Sequence, residues 1–151
     1  EWTSIRRFCE DLFEPLRANA AAQGVSIEVD ASESLLFYVD PSMLRRALLN
    51  LTLNALDAMP RGGRITVAAQ QTTTGGCLKV ADTGPGIPDE LLPRLFEPFY
   101  TTKSSGTGLG LAIVQRICEA HGGDVAVDNV PDGGACFSLR LPFTEVKEMA
   151  A

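Results

Sequence analysis

The spacing of apolar positions changes several times along the chain, and each change predicts a new structural element. In residues 2–23 apolar side chains recur three or four positions apart, which is the spacing of a helix that buries one face. This stripe consists of Ile5, Phe8, Leu12, Phe13 and Leu16. Gly24 is a typical helix stop, and the alternation over residues 25–29 then predicts a strand.

A second long helix is predicted over residues 41–59, after a short strand at 36–39. Asp40 can cap the free amides of its first turn, and Pro41 suits the first helical position. Leucines then follow at helical spacing, at positions 44, 48, 51 and 56. Pro60 and the glycine pair at 62–63 predict the end of this helix.

The remaining pattern predicts two hairpins and further helices. The hairpins join 64–70 to 77–81 around a turn at 73–76, and 124–129 to 135–141 around a turn at 131–134. A short helix at 88–95, a polar loop at 100–105 and an amphipathic helix at 109–120 lie between them. These elements predict an α+β fold, a two-layer α/β sandwich in which helices cover one face of a mixed β-sheet.

Composition places the chain among ordinary globular domains. Its 151 residues suffice for one domain, and apolar residues make up 45% and charged residues 21%. The formal net charge of -6 excludes broad attraction to nucleic acid or anionic lipid. We therefore expect no nucleic-acid partner.

Cysteine usage and the absence of a membrane signal bear on location. Cys9, Cys77, Cys118 and Cys136 are scattered, and we expect free thiols in a reducing, cytoplasmic compartment, although an even count leaves a disulfide pair open. No apolar run approaches the roughly 18 residues that span a bilayer, and no signal peptide opens the chain. The first residue is Glu1 and not methionine, so we expect a piece of a longer protein whose membrane anchoring stays open.

Two amides lie on one face of the second predicted helix, because Asn50 and Asn54 are four residues apart. Leucines surround them, and a buried amide without a partner costs about 1–3 kcal/mol. The pair therefore suggests a polar cleft, where an amide oxygen can complete an Mg²⁺ shell beside phosphate oxygens. A pair of helix-capping or interhelical amides explains the same pattern equally well.

An acid precedes a glycine turn at residues 82–86, Asp-Thr-Gly-Pro-Gly. The carboxylate of Asp82 can accept a hydrogen bond from an exocyclic amino group such as that of adenine. Gly84 and Gly86 let the backbone pass close to a flat ring. Taken alone, this fragment is better explained as an ordinary Asp-Gly turn.

Glycines also open the last predicted helix, in Gly-Thr-Gly-Leu-Gly-Leu at 106–111. Free amides and the positive end of the helix dipole favour a triphosphate there. The spacing matches neither a P-loop nor the dinucleotide fingerprint. The alternative is a flexible linker, although linkers seldom run directly into a periodic helix.

Between the two glycine segments, Phe96 and Phe99 are apolar anchors that bracket Glu-Pro. The polar residues 100–105 that follow are typical of a lid, since glycines hinge their far end. Lys103 is the lid's only cation and could neutralise a γ-phosphate, or be a solvated surface lysine. His121, the only histidine, lies at a predicted helix C-terminus and is interpreted as structural.

These four segments in this order resemble the catalytic and ATP-binding domain of bacterial sensor histidine kinases, in the superfamily shared with gyrase-type ATPases. Residues 50–55 match the asparagine box, 82–86 the first glycine box, 96–99 the phenylalanine box and 106–111 the second glycine box. The resemblance covers nearly the whole chain and implies a Bergerat-type fold over residues 1–151. The short lid and Phe-Tyr-Thr-Thr-Lys look most like the nitrogen-regulation type.

The resemblance also implies roles for individual residues, with ATP and Mg²⁺ as the bound groups. Asp82 would bind the adenine amino group, Gly84 and Gly86 would border the base, and Asn54 would help to hold Mg²⁺. Gly106, Gly108 and Gly110 would lie at the phosphates, with Lys103 reaching the γ-phosphate. The remaining members of the implied nucleotide-contacting set are Asn50, Asp57, Ile87, Phe99, Thr101, Thr102, Thr107, Leu109 and Leu111.

Asn50 separates two activities within that superfamily. The ATPases carry a glutamate general base where this chain has Asn50, and an amide cannot take a proton. Asn50 and Lys103 are therefore the predicted catalytic residues of a kinase that conserves the γ-phosphoryl group for a histidine. A gyrase-type ATPase domain and a non-catalytic ATP-binding or docking module are the alternatives.

Two features depart from the family pattern. The helical dimerisation domain that bears the accepting histidine is absent, so this segment is expected to be monomeric and to bind ATP without phosphorylating itself. Its expected partners are that dimerisation domain and a response regulator. Ala135 also stands where relatives often carry Thr or Ser, and the lost hydroxyl could weaken contacts to the base.

Overall fold

The computed structural model describes residues 1–98 and 110–144. The first half contains β1 (Trp2–Ser4), α1 (Ile5–Ala22), β2 (Val25–Asp30), β3 (Leu36–Tyr38) and α2 (Pro41–Ala58). The second half contains β4 (Gly63–Gln71), β5 (Gly75–Asp82), a 3₁₀ helix (Asp89–Arg94), α3 (Gly110–Ala120), β6 (Asp124–Asn129) and β7 (Ala135–Pro142). Helices and strands therefore alternate much as the apolar spacing predicts.

The main sheet has five strands in the order β2-β4-β5-β7-β6. Strands β2 and β4 run parallel, and α2 lies between them in the chain. The other neighbouring pairs are antiparallel and include both predicted hairpins, β4–β5 and β6–β7. The prediction of a mixed sheet is confirmed.

One face of this sheet is apolar and the other is largely open. On β5, Leu78 and Val80 are buried in the core with helix residues, whereas Lys79 between them is exposed. Because side chains alternate across a strand, Asp82 lies on the same face as Leu78 and Val80. The helices thus cover one face, as predicted, and β5 ends with a carboxylate directed toward the helical layer.

Two element boundaries differ from the sequence prediction. Residues 2–4 are not the first turn of α1 but form β1, in which Trp2 pairs with Tyr38 of β3 in a separate two-stranded sheet. The apolar stripe begins only at Ile5, so the residues before it add nothing to the helix face. The predicted short helix at 88–95 is a 3₁₀ helix with Pro93 inside it. The predicted loop at 100–105 lies outside the described residues.

Helix α2 begins and ends on side-chain hydrogen bonds that hold it in place. The Asp40 carboxylate accepts hydrogen bonds from the main-chain amides of Ser42 and Met43, at 2.9 and 3.2 Å, and so forms the predicted cap. At the other end, Gln23 donates to the carbonyl oxygens of Leu56 and Met59, at 2.7 and 2.8 Å. Two carbonyl oxygens at this end thereby gain a side-chain donor, and the end of α2 is tied to the residue that follows α1.

His121 is fully buried and both of its ring nitrogens are hydrogen-bonded. The Asp40 amide donates to Nε2 at 3.1 Å, and Nδ1 lies 2.8 Å from the carbonyl oxygen of Ile117. The carbonyl can only accept, so Nδ1 carries the proton and the imidazole joins the end of α3 to the start of α2. The structural interpretation of His121 is confirmed.

The four cysteines are free thiols, as expected. Burial raises the pKa of Cys9 and of Cys118 to about 12, which keeps both thiols protonated and chemically inert near neutral pH. Cys136 is half-buried on the open face of β7, because the strand alternation points Phe137 and not Cys136 into the core. Among the helices of the described ranges, none combines the length and apolar character that a membrane span requires.

Candidate nucleotide-binding site

Asp82 ends β5 on the helical face of the sheet, and only 8% of its surface is exposed. Its Oδ1 accepts hydrogen bonds from the amides of Gly84 and Ala135, at 2.9 and 3.2 Å. Within residues 1–98 and 110–144, both hydrogen bonds to the carboxylate are made to this one oxygen. Two main-chain donors therefore hold the carboxylate in one orientation, and Oδ2 remains to accept a bond from a bound group.

The glycines after Asp82 stand where side chains would collide with the site. A Cβ at Gly84 would lie 3.2 Å from Asp82 Oδ1 and 3.3 Å from the carbonyl oxygen of Ala58. Gly86 has a φ of +79°, and a Cβ there would lie 2.9 Å from Asn129 Oδ1. A side chain at Gly84 would require its neighbours to shift by a few tenths of an ångström, whereas Gly86 is required by both its contact and its backbone conformation.

The turn between β6 and β7 supports Asp82, which the sequence pattern did not reveal. Gly134, at φ +96°, packs so closely on the carbonyl oxygen of Asp82 that a Cβ would overlap it. The neighbouring Ala135 binds the carboxylate through its main-chain amide. This contact does not involve the side chain, so the absence of a hydroxyl at position 135 leaves it intact.

Thr83 fastens the same loop to two other elements. Its hydroxyl accepts a hydrogen bond from the Arg64 amide at 3.0 Å and donates to Sδ of Met59 at 3.6 Å. The first bond reaches the start of β4 and the second reaches the C-terminal end of α2. No spacing rule in the sequence identifies this residue, because its partners are 19 and 24 positions away.

Asn50 lies where α2 meets the start of α3. Its Nδ2 donates to the carbonyl oxygen of Arg46 at 3.0 Å, which turns Oδ1 away from its own helix backbone. A Cβ at Gly110 would lie 3.3 Å from that Oδ1. The structure therefore brings the asparagine segment and the second glycine segment together, as the sequence prediction requires.

The C-terminal half of α2 connects the two ends of the site. Asn50 lies beside the first residue of α3, Asn54 is half-buried one turn later, and Ala58 touches Gly84. At 1.5 Å per residue, positions 50 and 58 are about 12 Å apart along the helix axis. Asp57 is exposed on the same half of α2.

The start of α3 carries no acidic side chain in its first turn. The helix begins at Gly110. The first amides of a helix have no partner within it, and the dipole places partial positive charge there. This end of α3, beside Asn50, therefore suits an anion.

Three other predicted residues contribute mainly by packing. The ring of Phe96 packs edge-on against Phe137 of β7, with ring centroids 6.2 Å apart, and this makes it the apolar anchor that the pattern predicts. Ile87 and Leu111 are partly buried against the core. The remaining predicted site residues lie outside the described residues: Phe99, Thr101, Thr102, Lys103, Gly106, Thr107, Gly108 and Leu109.

The donor set fits a nucleotide with its metal held largely by phosphate. One end has a fixed carboxylate followed by glycines, and the other has the N-terminus of α3 and two amide side chains. In the described ranges, no group of three or more His, Cys, Asp or Glu side chains could hold a metal ion by itself. Mg²⁺ commonly binds through one or two protein oxygens plus phosphates and waters, and the oxygen of Asn54 is suited to that role. The fold and the site therefore define the class: a two-layer α/β domain whose candidate site lies along α2, between the end of β5 and the start of α3.

Comparison with known proteins supplies the family. Residues 39–145 match the family described as histidine kinase-, DNA gyrase B- and HSP90-like ATPase, and the chain belongs to this family. It is 43% identical over 126 residues to the sensor histidine kinase ZraS of Klebsiella oxytoca, a match that covers 82% of this chain and 27% of ZraS. The chain thus spans about a quarter of the length of this curated relative.

Solved structures of histidine kinases share the fold. The catalytic domain of ThkA, in a nucleotide-free form, superimposes with a TM-score of 0.87 at 28% identity, over 95% of each chain. ThkA in complex with the response regulator TrrA gives 0.82 at 25% identity, over 95% of this chain and 42% of that one. Full-length ShkA with AMPPNP gives 0.84 at 32% identity, over 99% of this chain and 32% of that one. The narrower likeness to nitrogen-regulation kinases stays a hypothesis.

Proposed function

We propose that this chain is the ATP-binding catalytic domain of a sensor histidine kinase. It donates the γ-phosphoryl group of ATP to a histidine on a separate helical dimerisation domain, for relay to a response regulator. The observation that carries the proposal is the Asp82 carboxylate, held by the Gly84 and Ala135 amides with one oxygen left to accept. The family supports the same reading, because its matched relatives are sensor histidine kinases.

At the base end, Asp82 selects adenine by accepting a hydrogen bond from its exocyclic amino group. Guanine presents a carbonyl oxygen at the corresponding position, and two acceptors would then face each other. Gly84 lies against α2 and leaves room for a flat ring beside the carboxylate. Because the carboxylate is already oriented before binding, little ordering cost is added when the base enters.

At the phosphate end, the start of α3 receives the negative charge and Asn50 lies next to it. Phosphoryl transfer needs positioning and charge neutralisation more than proton chemistry at the donor. The Asn50 amide cannot take a proton from water, so attack by water gains no general base here. We infer slow hydrolysis and a γ-phosphoryl group kept for the histidine, with Lys103 and the glycines 106 and 108 completing this end.

The partners and the location belong to the same proposal. ThkA has been captured with the response regulator TrrA, and ShkA with AMPPNP, which supports a response regulator and ATP as the partner and the substrate here. Residues 1–151 would form the catalytic unit, and the accepting histidine would lie on a helical dimerisation domain outside these residues. Burial of Cys9 and Cys118 as free thiols is compatible with a cytoplasmic location.

Phosphoryl transfer to a supplied dimerisation domain tests this function directly. The chain is incubated with Mg²⁺ and γ-labelled ATP, with and without a helical domain that carries an accepting histidine. We expect label on that domain, none when its histidine is replaced, and little free phosphate. Binding of a non-hydrolysable ATP analogue, measured by calorimetry, comes first. Steady phosphate release would instead indicate an ATPase, and binding without transfer to any tested domain would indicate a docking module.

Replacing Asn54 with alanine should weaken nucleotide binding mainly when Mg²⁺ is present. In this proposal the amide oxygen binds the metal directly, so its loss should cost about tenfold in affinity with Mg²⁺. In EDTA the same variant should bind the ATP analogue almost as well as the unmodified chain. Calorimetric titrations in both buffers provide the comparison, and an equal loss in both would contradict the metal role.

A further inference from the structure

Both main-chain polar groups of Ile87 are bonded to one side chain from a distant strand. The Ile87 amide donates to Asn129 Oδ1 at 2.8 Å, and Asn129 Nδ2 donates to the Ile87 carbonyl oxygen at 2.7 Å. Asn129 is the last residue of β6, 42 positions along the chain. Its side-chain amide thus binds Ile87 as a neighbouring strand would, through one donor and one acceptor.

These two hydrogen bonds stabilise the loop after Asp82, where regular secondary structure provides none. Residues 83–88 belong to no helix or strand, so their polar groups gain no ladder partners. If the Asn129 side-chain amide were rotated by 180°, its NH₂ group would face the Ile87 N–H and its oxygen would face the Ile87 carbonyl oxygen. Asn129 Nδ2 also lies 3.4 Å from Asp89 Oδ1, which favours the same orientation.

Gly86 shows how closely the two segments are fitted. A Cβ at this position would lie 2.9 Å from Asn129 Oδ1, so a side chain would displace the amide oxygen from the Ile87 N–H. The φ of +79° already favours glycine there. Gly86 is therefore constrained twice, and one of the constraints is contact with Asn129.

The strand register connects this pair to the carboxylate of Asp82. Asn129 is opposite Ala135 in the β6–β7 ladder, and the Ala135 amide is one of the two donors that hold Asp82 Oδ1. One cross-strand pair of the β6–β7 hairpin therefore contacts both parts of the site. Ala135 binds the Asp82 carboxylate, and Asn129 binds the loop that follows Asp82. Displacement of this cross-strand pair would move the acceptor and the glycine turn relative to each other.

We propose that Asn129 is a positioning residue that holds the Gly84–Ile87 turn at the distance from Asp82 that an adenine ring requires. This inference rests on the proposed function, because it assigns the base to that loop. Asn129 touches the loop and not the nucleotide, so its loss should affect adenine affinity while leaving phosphate contacts alone. A side chain that merely stabilised the fold would lower the melting temperature without changing the affinity of folded molecules.

Two variants and one matched control test the proposal. Asn129→Leu removes both bonds at similar volume, and Asn129→Asp keeps the acceptor but turns a second oxygen toward the Ile87 carbonyl. Asn19→Leu makes the same chemical change at an exposed position of α1. Calorimetry with ADP and with the non-hydrolysable ATP analogue measures affinity, and thermal unfolding without nucleotide verifies that each variant is folded.

Both Asn129 variants should lose about tenfold in affinity, and by the same factor for ADP and for the ATP analogue, because the base is common to both. Amide exchange of Ile87, followed by NMR without nucleotide, should accelerate by about tenfold in Asn129→Leu and stay unchanged in Asn19→Leu. Affinity within about twofold of the unmodified chain would overturn the positioning role. An unchanged exchange rate of the Ile87 amide in the nucleotide-free Asn129→Leu variant would also overturn the positioning role. Failure of the unmodified chain to bind nucleotide would instead overturn the proposed function.

Discussion

Replacing Asp82 with alanine should abolish measurable binding of ATP or its analogues, a loss of at least about 100-fold in affinity. The carboxylate is nearly buried and is already oriented by the Gly84 and Ala135 amides. Its removal takes away the acceptor for the adenine amino group and leaves those two amides unpaired. Because the alanine variant leaves the Gly84 and Ala135 amides without their acceptor, its free energy of unfolding should fall by about 1–3 kcal/mol.

Asp82→Asn separates recognition from support. The asparagine oxygen can still accept from Gly84 and Ala135, whereas its NH₂ group would replace Oδ2 and face the adenine amino group. Two donors would then oppose each other, so binding should be lost while the melting temperature stays close to that of the unmodified chain. Asp128→Ala, an exposed acid on the open face of the same sheet, is the control. Near-normal affinity in Asp82→Asn would contradict the adenine assignment.

Replacing Gly134 with alanine should damage both the fold and the site. A Cβ there would overlap the carbonyl oxygen of Asp82 and lie 3.1 Å from its Oδ1, at a φ of +96°. The backbone strain costs about 1–2 kcal/mol, and overpacking adds about 1–3 kcal/mol. Because the hairpin must move away from Asp82, affinity for the ATP analogue should fall by up to about 100-fold.

Gly133→Ala is a closely matched control for that variant. Gly133 has a φ of +108°, but a Cβ there would lie 3.9 Å from the Gly84 carbonyl oxygen, an ordinary van der Waals distance. The Gly133→Ala variant has the same positive-φ strain as Gly134→Ala but no overlap with Asp82. It should therefore lose about 1–2 kcal/mol of stability and leave nucleotide affinity nearly unchanged. Urea unfolding and calorimetry on both variants make the comparison. Equal affinities in the two would mean that contact between the hairpin and Asp82 does not matter for binding.

Much of the fold could be predicted because its signals are local. Asp40 and Pro41 predict the start of α2, since a cap and a proline act on the turn that they precede. Residues 2–4 were predicted wrongly as helix, because the pairing of Trp2 with Tyr38 is a contact across 36 positions that no local spacing reveals. The partial exposure of Cys136 likewise depends on which face of the sheet each side of β7 meets, and this is decided by the fold.

The candidate site divides in the same way. Asp82, Gly84, Gly86, Asn50 and Asn54 could be proposed from residue type and spacing, because each stands in a short segment whose chemistry is visible by itself. Three supporting residues could not be proposed in this way. Thr83 bonds the loop to β4, Asn129 bonds the loop from β6, and Gly134 packs on Asp82. Asn129 stands in an ordinary strand end, and Gly133 with Gly134 indicates only a hairpin turn.

By itself, the sequence determined the order of helices and strands from α1 onward, the mixed two-layer architecture, and the acid, amides and glycines of the candidate site. Those properties depend on periodicity and on the chemistry of neighbouring residues. Only the tertiary structure decided which oxygen of Asp82 is already bonded, that Asn50 lies beside Gly110, and that the β6–β7 hairpin holds the glycine turn. Such contacts arise when strands distant in sequence become neighbours in the sheet, and their geometry depends on register and packing across the whole domain.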